Sequence, residues 1–138
     1  MSWKEIKEVR YIVVHASDTP ADKDIGVEEI RLMHLRRGWF DIGYHYVIRR
    51  DGSLENGRPM DRPGAHARGF NHLSLGICLV GQGDFTNKQY ATLADLVMGL
   101  VDMHPDAQVL GYRDLPNVNN SSPGFDVVEW WAEESNDE

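Results

Sequence analysis

Cysteine is almost missing from this sequence: Cys78 is the only one in 138 residues. That excludes a disulfide framework and, equally, a Cys-rich zinc ribbon or finger. Long apolar runs are missing as well. The longest, such as Tyr11 to Val14 and Leu75 to Val80, fall far short of the roughly 20 residues that a membrane helix needs. Positive charge is scarce, with 14 Lys and Arg against 22 Asp and Glu and a net charge of −8. Six of the acidic residues and none of the basic ones lie between Asp126 and Glu138. The body of the chain is therefore close to neutral, and the acidic end reads as solvated charge that keeps the protein soluble. Such a balance argues against non-specific binding to a phosphate backbone, while leaving room for a local pocket that takes a small anion. Repeats, low-complexity tracts and Pro/Gly/Ser linkers are absent, which implies one domain over 1–138 with an acidic end at 132–138. A chain of this length buries roughly two-thirds of its unfolded surface, enough to fold without a disulfide or a metal. The charged start, Met1-Ser-Trp-Lys-Glu-Ile-Lys-Glu, lacks the apolar block of a secretion signal, so a cytoplasmic location is expected.

What is present alternates between two periodicities. Tyr11-Ile-Val-Val-His15 is a β-branched run that ends at Asp18-Thr-Pro20, a buried strand entering a loop. Val27 to Arg37 has apolar residues at helical spacing and Gly38 as a stop. Tyr44 to Arg50 reads as a strand, Asp51-Gly52 as a two-residue hairpin turn, and Ser53 to Gly57 as the returning strand. Leu75 to Val80 is a third buried strand. Thr86 caps a long helix to Met103 that carries Leu93, Leu96, Val97, Leu100 and Val101 on one side. Val109 to Tyr112 is a fourth short strand, Arg113 to Gly124 is irregular, and Phe125 to Ala132, with Trp130 and Trp131, forms a last helix. This order predicts an α/β fold, a central mixed β-sheet flanked by helices.

Six segments carry a resemblance. They are Val13-Val14-His15-Ala-Ser17-Asp-Thr19, Ile30-x3-His34-x3-Gly38-Trp39, Asp41-Ile-Gly-Tyr44-His45-Tyr46, the Arg50-Asp-Gly52 turn, Gly64-Ala-His66, and Asn71-x2-Ser74-Leu-Gly76-Ile-Cys-Leu-Val-Gly81. In order and spacing they resemble the zinc N-acetylmuramoyl-L-alanine amidases, notably the small phage lysozymes of this type, and the likeness extends to the animal peptidoglycan recognition proteins. It spans about residues 10–131. The resemblance implies a single amidase-like domain, phage-encoded and acting in the host cell.

The family holds one zinc with a histidine at the end of the first strand, a second in a Gly-His-Arg-Asp segment, and a cysteine or carboxylate in a Lys-x-Cys-Pro segment. His15 matches the first. The second segment here reads Gly111-Tyr112-Arg113-Asp114, and the third reads Asn120-Ser121-Ser122-Pro123. Tyr112 and Ser122 therefore stand at two ligand positions, and Asn120 stands where the phage enzymes have a lysine that assists catalysis. Neutral hydroxyls are poor zinc ligands beside thiolate and imidazole. The expectation is no cofactor, with zinc retained only if an altered site survives.

The resemblance also places Tyr44, whose counterpart assists catalysis, and His66, whose counterpart borders the substrate groove. Period-two alternation predicts Tyr44 and Tyr46 on one face of their strand and His45 on the other. A ligand-binding cleft of His15, Tyr44, His66, Tyr112, Arg113, Asn120 and Ser122 is expected, with Tyr44, His15 and His66 the catalytic candidates if there is activity. Arg113 is read either as a ligand contact or as an ion pair with Asp114. His34, His45 and His72 are read as surface or satisfied core residues, and His104, before Pro105, as a capping charge. The leading expectation is a pseudoenzyme-like module that binds a muramyl peptide, a peptidoglycan fragment or another small ligand. Serine at the position of the zinc cysteine marks those peptidoglycan recognition proteins that bind without cutting. The alternatives are an active amidase with an altered metal sphere and a metal-free protein that binds or cleaves a nucleotide signal with His15 and His66. A protein partner is left open, since the phage lysozymes resembled here also restrain a phage RNA polymerase.

Overall fold

A computed structural model describes residues 4–136. Five strands form one mixed sheet in the order β3-β2-β4-β1-β5. They are β1 (Tyr11–Ala16), β2 (Tyr46–Ile48), β3 (Leu54–Asn56), β4 (Ser74–Leu79) and β5 (Gln108–Gly111), with helices α1 (Val27–Arg36), α2 (Asn87–Met103) and α3 (Val127–Ser135) between and after them. Strand β4 lies at the centre, parallel to β2 on one side and β1 on the other; β1 is also parallel to β5, and only the β2–β3 pair is antiparallel. Among the described residues no helix is long and apolar enough to cross a membrane.

The alternation of β1 divides the interior in two. Ile12 and Val14 point to the face covered by α2 and α3, where Leu93, Val97, Leu100 and Val127 complete the larger core. Val13 turns to the opposite face, onto Ala67, Leu110 and Leu115. His15, in step with Val13, emerges on that second face at the carboxyl end of the strand, the place where open α/β sheets bind ligands. Helix α1 lies on the same face, with Val27 and Ile30 against Val47, Cys78 and Val80. Thr86 caps α2 as its sequence predicts: its side chain accepts the Gln89 N–H and the Gln89 side chain reaches back.

Three local details depart from the sequence reading. The hairpin loop has three residues, because Gly52 N–H donates to Arg49 O and Arg49 pairs with Ser53, with Gly52 at φ +88°. This is a turn followed by a left-handed residue, for which glycine is suited. The regular strand β2 starts at Tyr46 rather than Tyr44, because the consecutive carbonyls of Tyr44 and His45 accept from Arg58 and Gly57. Strict alternation fails there: Tyr46 joins the α2 side and Tyr44 joins the α1 side. Tyr112 leaves the strand and opens a short 3-10 turn, Tyr112–Asp114, in which the Asp114 carboxylate accepts the Gly111 N–H at 2.9 Å.

Candidate functional site

The carboxyl end of β1 opens into a cleft of about 650 Å³ whose lining includes His15, His34, Tyr44, His66, Tyr112 and Ser122. This size suits a small ligand. Its floor is His15, only 4% exposed. The His15 ring stacks on Tyr112, with centroids 4.6 Å apart and planes 27° apart, and meets Tyr44 at 5.1 Å. His15 Nε2 and His66 Nδ1 are 2.9 Å apart. Burial lowers the His15 pKa to about 3, and burial with neighbouring His15 lowers that of His66, so both rings are neutral near pH 7. Burial raises the Tyr44 phenol, which keeps its proton beside the Cys78 thiol.

His66 sits on a loop, yet nearly every neighbour holds it. Asn71 Oδ1 accepts the backbone N–H groups of His66 and Ala67, both at 3.0 Å. Ser74 Oγ lies 3.0 Å from His66 Nε2 and donates its own proton to Phe70 O at 2.7 Å. A Cβ on Gly76 would stand 2.6 Å from the His66 ring, so only glycine leaves room for it. The Asn71, Ser74 and Gly76 positions of the sixth sequence segment are thus the cradle of one imidazole.

The opposite wall is the 111–124 segment. Ser122 Oγ accepts the Ala16 N–H at 2.8 Å, which ties this loop to the end of β1. Asn120 is exposed and its Oδ1 accepts the Ser122 N–H at 2.7 Å. Tyr112 is partly buried against the cluster of Val13, Leu110 and Leu115. Arg113 does not line the cleft: its backbone N–H donates to Ser122 O at 2.8 Å and its side chain is exposed. It makes no ion pair among the described residues, and the Asp114 carboxylate is occupied by Gly111 instead.

The other histidines separate clearly. His45 is buried and doubly bonded: its Nδ1 accepts the Gly76 N–H and its Nε2 donates to Arg62 O. His72 is exposed. His104 caps the carboxyl end of α2. His34 is a satisfied core residue and a cleft residue at once, since its Nδ1 accepts the Gly43 N–H at 2.8 Å while the ring lines the cleft beside Trp39 and Arg37. Sequence reasoning missed these last three as cleft residues. The Gly38-Trp39 pair at the end of α1 was the available signal, because a helix that stops there turns its last residues toward the sheet edge.

Fold and cleft together define an amidase-type domain, and the comparisons agree. The chain belongs to the N-acetylmuramoyl-L-alanine amidase family, whose profile matches residues 5–125. It is 39% identical over 133 residues to the endolysin of Klebsiella phage KP32, covering 91% of this chain and 87% of that protein. It is also 37% identical over 82 residues to peptidoglycan-recognition protein 2 of Holotrichia diomphalia, covering 55% of this chain and 44% of that one. Among solved structures it superimposes on the N-acetylmuramoyl-L-alanine amidase LysC of Clostridium intestinale with a TM-score of 0.82 at 25% identity, covering 98% and 95% of the two chains.

Proposed function

We propose that this amidase-family protein binds a muramyl peptide or related peptidoglycan fragment in the cleft at the end of β1 and does so without a zinc ion. The observation that carries the reading is the chemistry of the second wall. At the three positions where the family resemblance puts metal ligands stand one imidazole, one phenol and one hydroxyl. The phenol ring is stacked on the imidazole, and the hydroxyl oxygen already accepts the Ala16 N–H. Neutral oxygens of this kind do not fit zinc, which is held by thiolate, imidazole or carboxylate. His15, Tyr44 and His66 remain together and give the cleft aromatic faces and neutral hydrogen-bonding groups. The recognition protein of Holotrichia diomphalia supports a peptidoglycan ligand, since its name states that specificity.

The test combines metal analysis, calorimetric titration with muramyl dipeptide, and turbidity of purified cell walls. Saturable binding, little retained zinc and no clearing are expected. The identity to phage endolysins favours a second reading, an active amidase with an altered metal sphere. About one equivalent of zinc, together with clearing that His15→Ala abolishes, would establish that reading instead.

A further inference from the structure

The hydrogen bonds around His66 run in one direction only. A carbonyl cannot donate, so the Ser74 hydroxyl proton points to Phe70 O at 2.7 Å. Ser74 Oγ, having spent its proton, accepts from His66 Nε2–H at 3.0 Å. The His66 ring has no carboxylate partner among the described residues and is neutral, so its Nδ1 carries a bare lone pair. His15 Nε2–H must then be the donor across the 2.9 Å contact. His15 is likewise buried without a carboxylate partner among the described residues, so its ring is neutral and Nδ1 is left as its lone pair. That atom has no partner among the described residues, yet no buried side-chain nitrogen or oxygen there lacks one. It therefore opens to the cleft that His15 lines.

From this we infer that the Phe70–Ser74–His66–His15 chain locks His15 in a single tautomer and presents Nδ1 as a fixed hydrogen-bond acceptor on the cleft floor, selecting ligands that offer a neutral N–H or O–H group. Ser74 and His66 are positioning residues: both His66 ring nitrogens are taken up by Ser74 and His15, so its hydrogen bonding reaches the ligand through His15 while its ring surface lines the cleft. The ring faces around it, from Tyr44 and Tyr112, add apolar surface without charge. A peptide amide N–H satisfies such an acceptor. A fully ionised oxyanion repels it, lone pair against lone pair, so the nucleotide alternative is disfavoured. His15 and His66 are moreover bonded to each other rather than set apart across a space for a scissile bond. The ligand class rests on the binding reading proposed above, whereas the tautomer does not.

Long-range proton–nitrogen correlation spectra of ¹⁵N-histidine protein at pH 7.5 read the tautomers directly. Both His15 and His66 are expected as Nε2–H with unprotonated Nδ1, and an Nδ1–H form of either ring would overturn the inference. Ser74→Ala should mix the His66 tautomers and shift the His15 nitrogens, while Ser74→Thr, which restores a hydroxyl, should return the parent pattern. Unchanged nitrogen shifts in a folded Ser74→Ala protein would refute the chain. Sulfate, which has no proton to donate, should leave the His15 nitrogens unmoved; a saturable shift would overturn the ligand class. Muramyl dipeptide and its analogue with an ester in place of the lactyl–alanine amide complete the set. Loss of that N–H is expected to weaken binding roughly tenfold, the scale of an unsatisfied buried acceptor. Equal binding of the two would contradict acceptance by His15. Failure of muramyl dipeptide itself to bind would refute the functional reading, with the nitrogen spectra still deciding the tautomer.

Discussion

The two walls of the cleft are built on different principles. The His66 wall is a set of side chains that serve one imidazole: Asn71 fixes its backbone, Ser74 its far nitrogen, and Gly76 its space. The 111–124 wall serves the backbone instead. Ser122 completes the end of β1, Asn120 completes Ser122, and Asp114 completes Gly111. A histidine wall so closely held cannot drift without disturbing the sheet, whereas the loop wall is bound mostly by main-chain needs that several residue types meet. The positions to which the family resemblance assigns two zinc ligands and an assisting lysine, occupied here by Tyr112, Ser122 and Asn120, all stand on the loop wall.

The largest expected effect comes from rewriting the loop wall alone. Tyr112→His, Asn120→Lys and Ser122→Cys together restore two ligating side chains beside His15. Structural zinc sites built from thiolate and imidazole bind with a free energy on the order of 10 kcal/mol or more. Dialysed triple variant should retain about one equivalent of zinc, against far less for the parent. Metal analysis checks this, and a triple variant that stays empty would mean that the loop backbone no longer brings these positions to His15.

Acid tests the histidine wall. Burial lowers the His15 pKa to about 3, and burial, opposed in part by the bond to Arg62 O, lowers that of His45 to about 4. In the unfolded chain both titrate near 6.5. Below that pH the unfolded state binds more protons, so the stability these neutral rings permit is complete above about pH 6.5 and falls as acid is added, down to the folded pKa values. Each ring costs about 1.4 kcal/mol per pH unit in that window, about 3 kcal/mol per unit for the pair. Urea unfolding at pH 7.5 and pH 5 should differ by several kcal/mol, and equal stabilities would place these rings in water.

Much of this was legible in the chain. Six segments in register marked the family, and the β1 alternation that hides Val14 exposes His15 to the site. What stayed hidden depended on atoms brought together from far apart in sequence. Tyr44 lines the cleft, but its sharing of a face with Tyr46 was misjudged because the Arg58 and Gly57 hydrogen bonds that break the alternation lie on the returning chain. The purpose of Ser74 and Gly76 was invisible until the loop carrying His66 folded over them. His34 looked ordinary because its link to Gly43 and its neighbour Trp39 form only when α1 ends and turns back.

Gly76 allows a finer comparison within one residue type. Gly76→Ala drives a methyl into the His66 ring and should cost about 1–3 kcal/mol by overpacking. Gly99, exposed in the middle of α2 with nothing within 4 Å of an added Cβ, should gain about 0.5–1 kcal/mol from the same change. Thermal unfolding of the two variants should move in opposite directions. Equal shifts would mean that the His66 ring yields freely, against the cradle described above.

The smallest effect is expected at Arg113, the cationic residue that its segment most readily suggests as a ligand contact. Its guanidinium is exposed and outside the cleft lining, and what holds the segment is its backbone N–H on Ser122 O, which alanine keeps. Arg113→Ala should change stability by no more than about 0.5 kcal/mol, as surface substitutions do, and leave muramyl dipeptide affinity as it was. Calorimetric titration checks the second point. A marked loss of affinity would show that the ligand extends past the 111–124 wall onto the outer surface, and that the loop wall recognises with side chains after all.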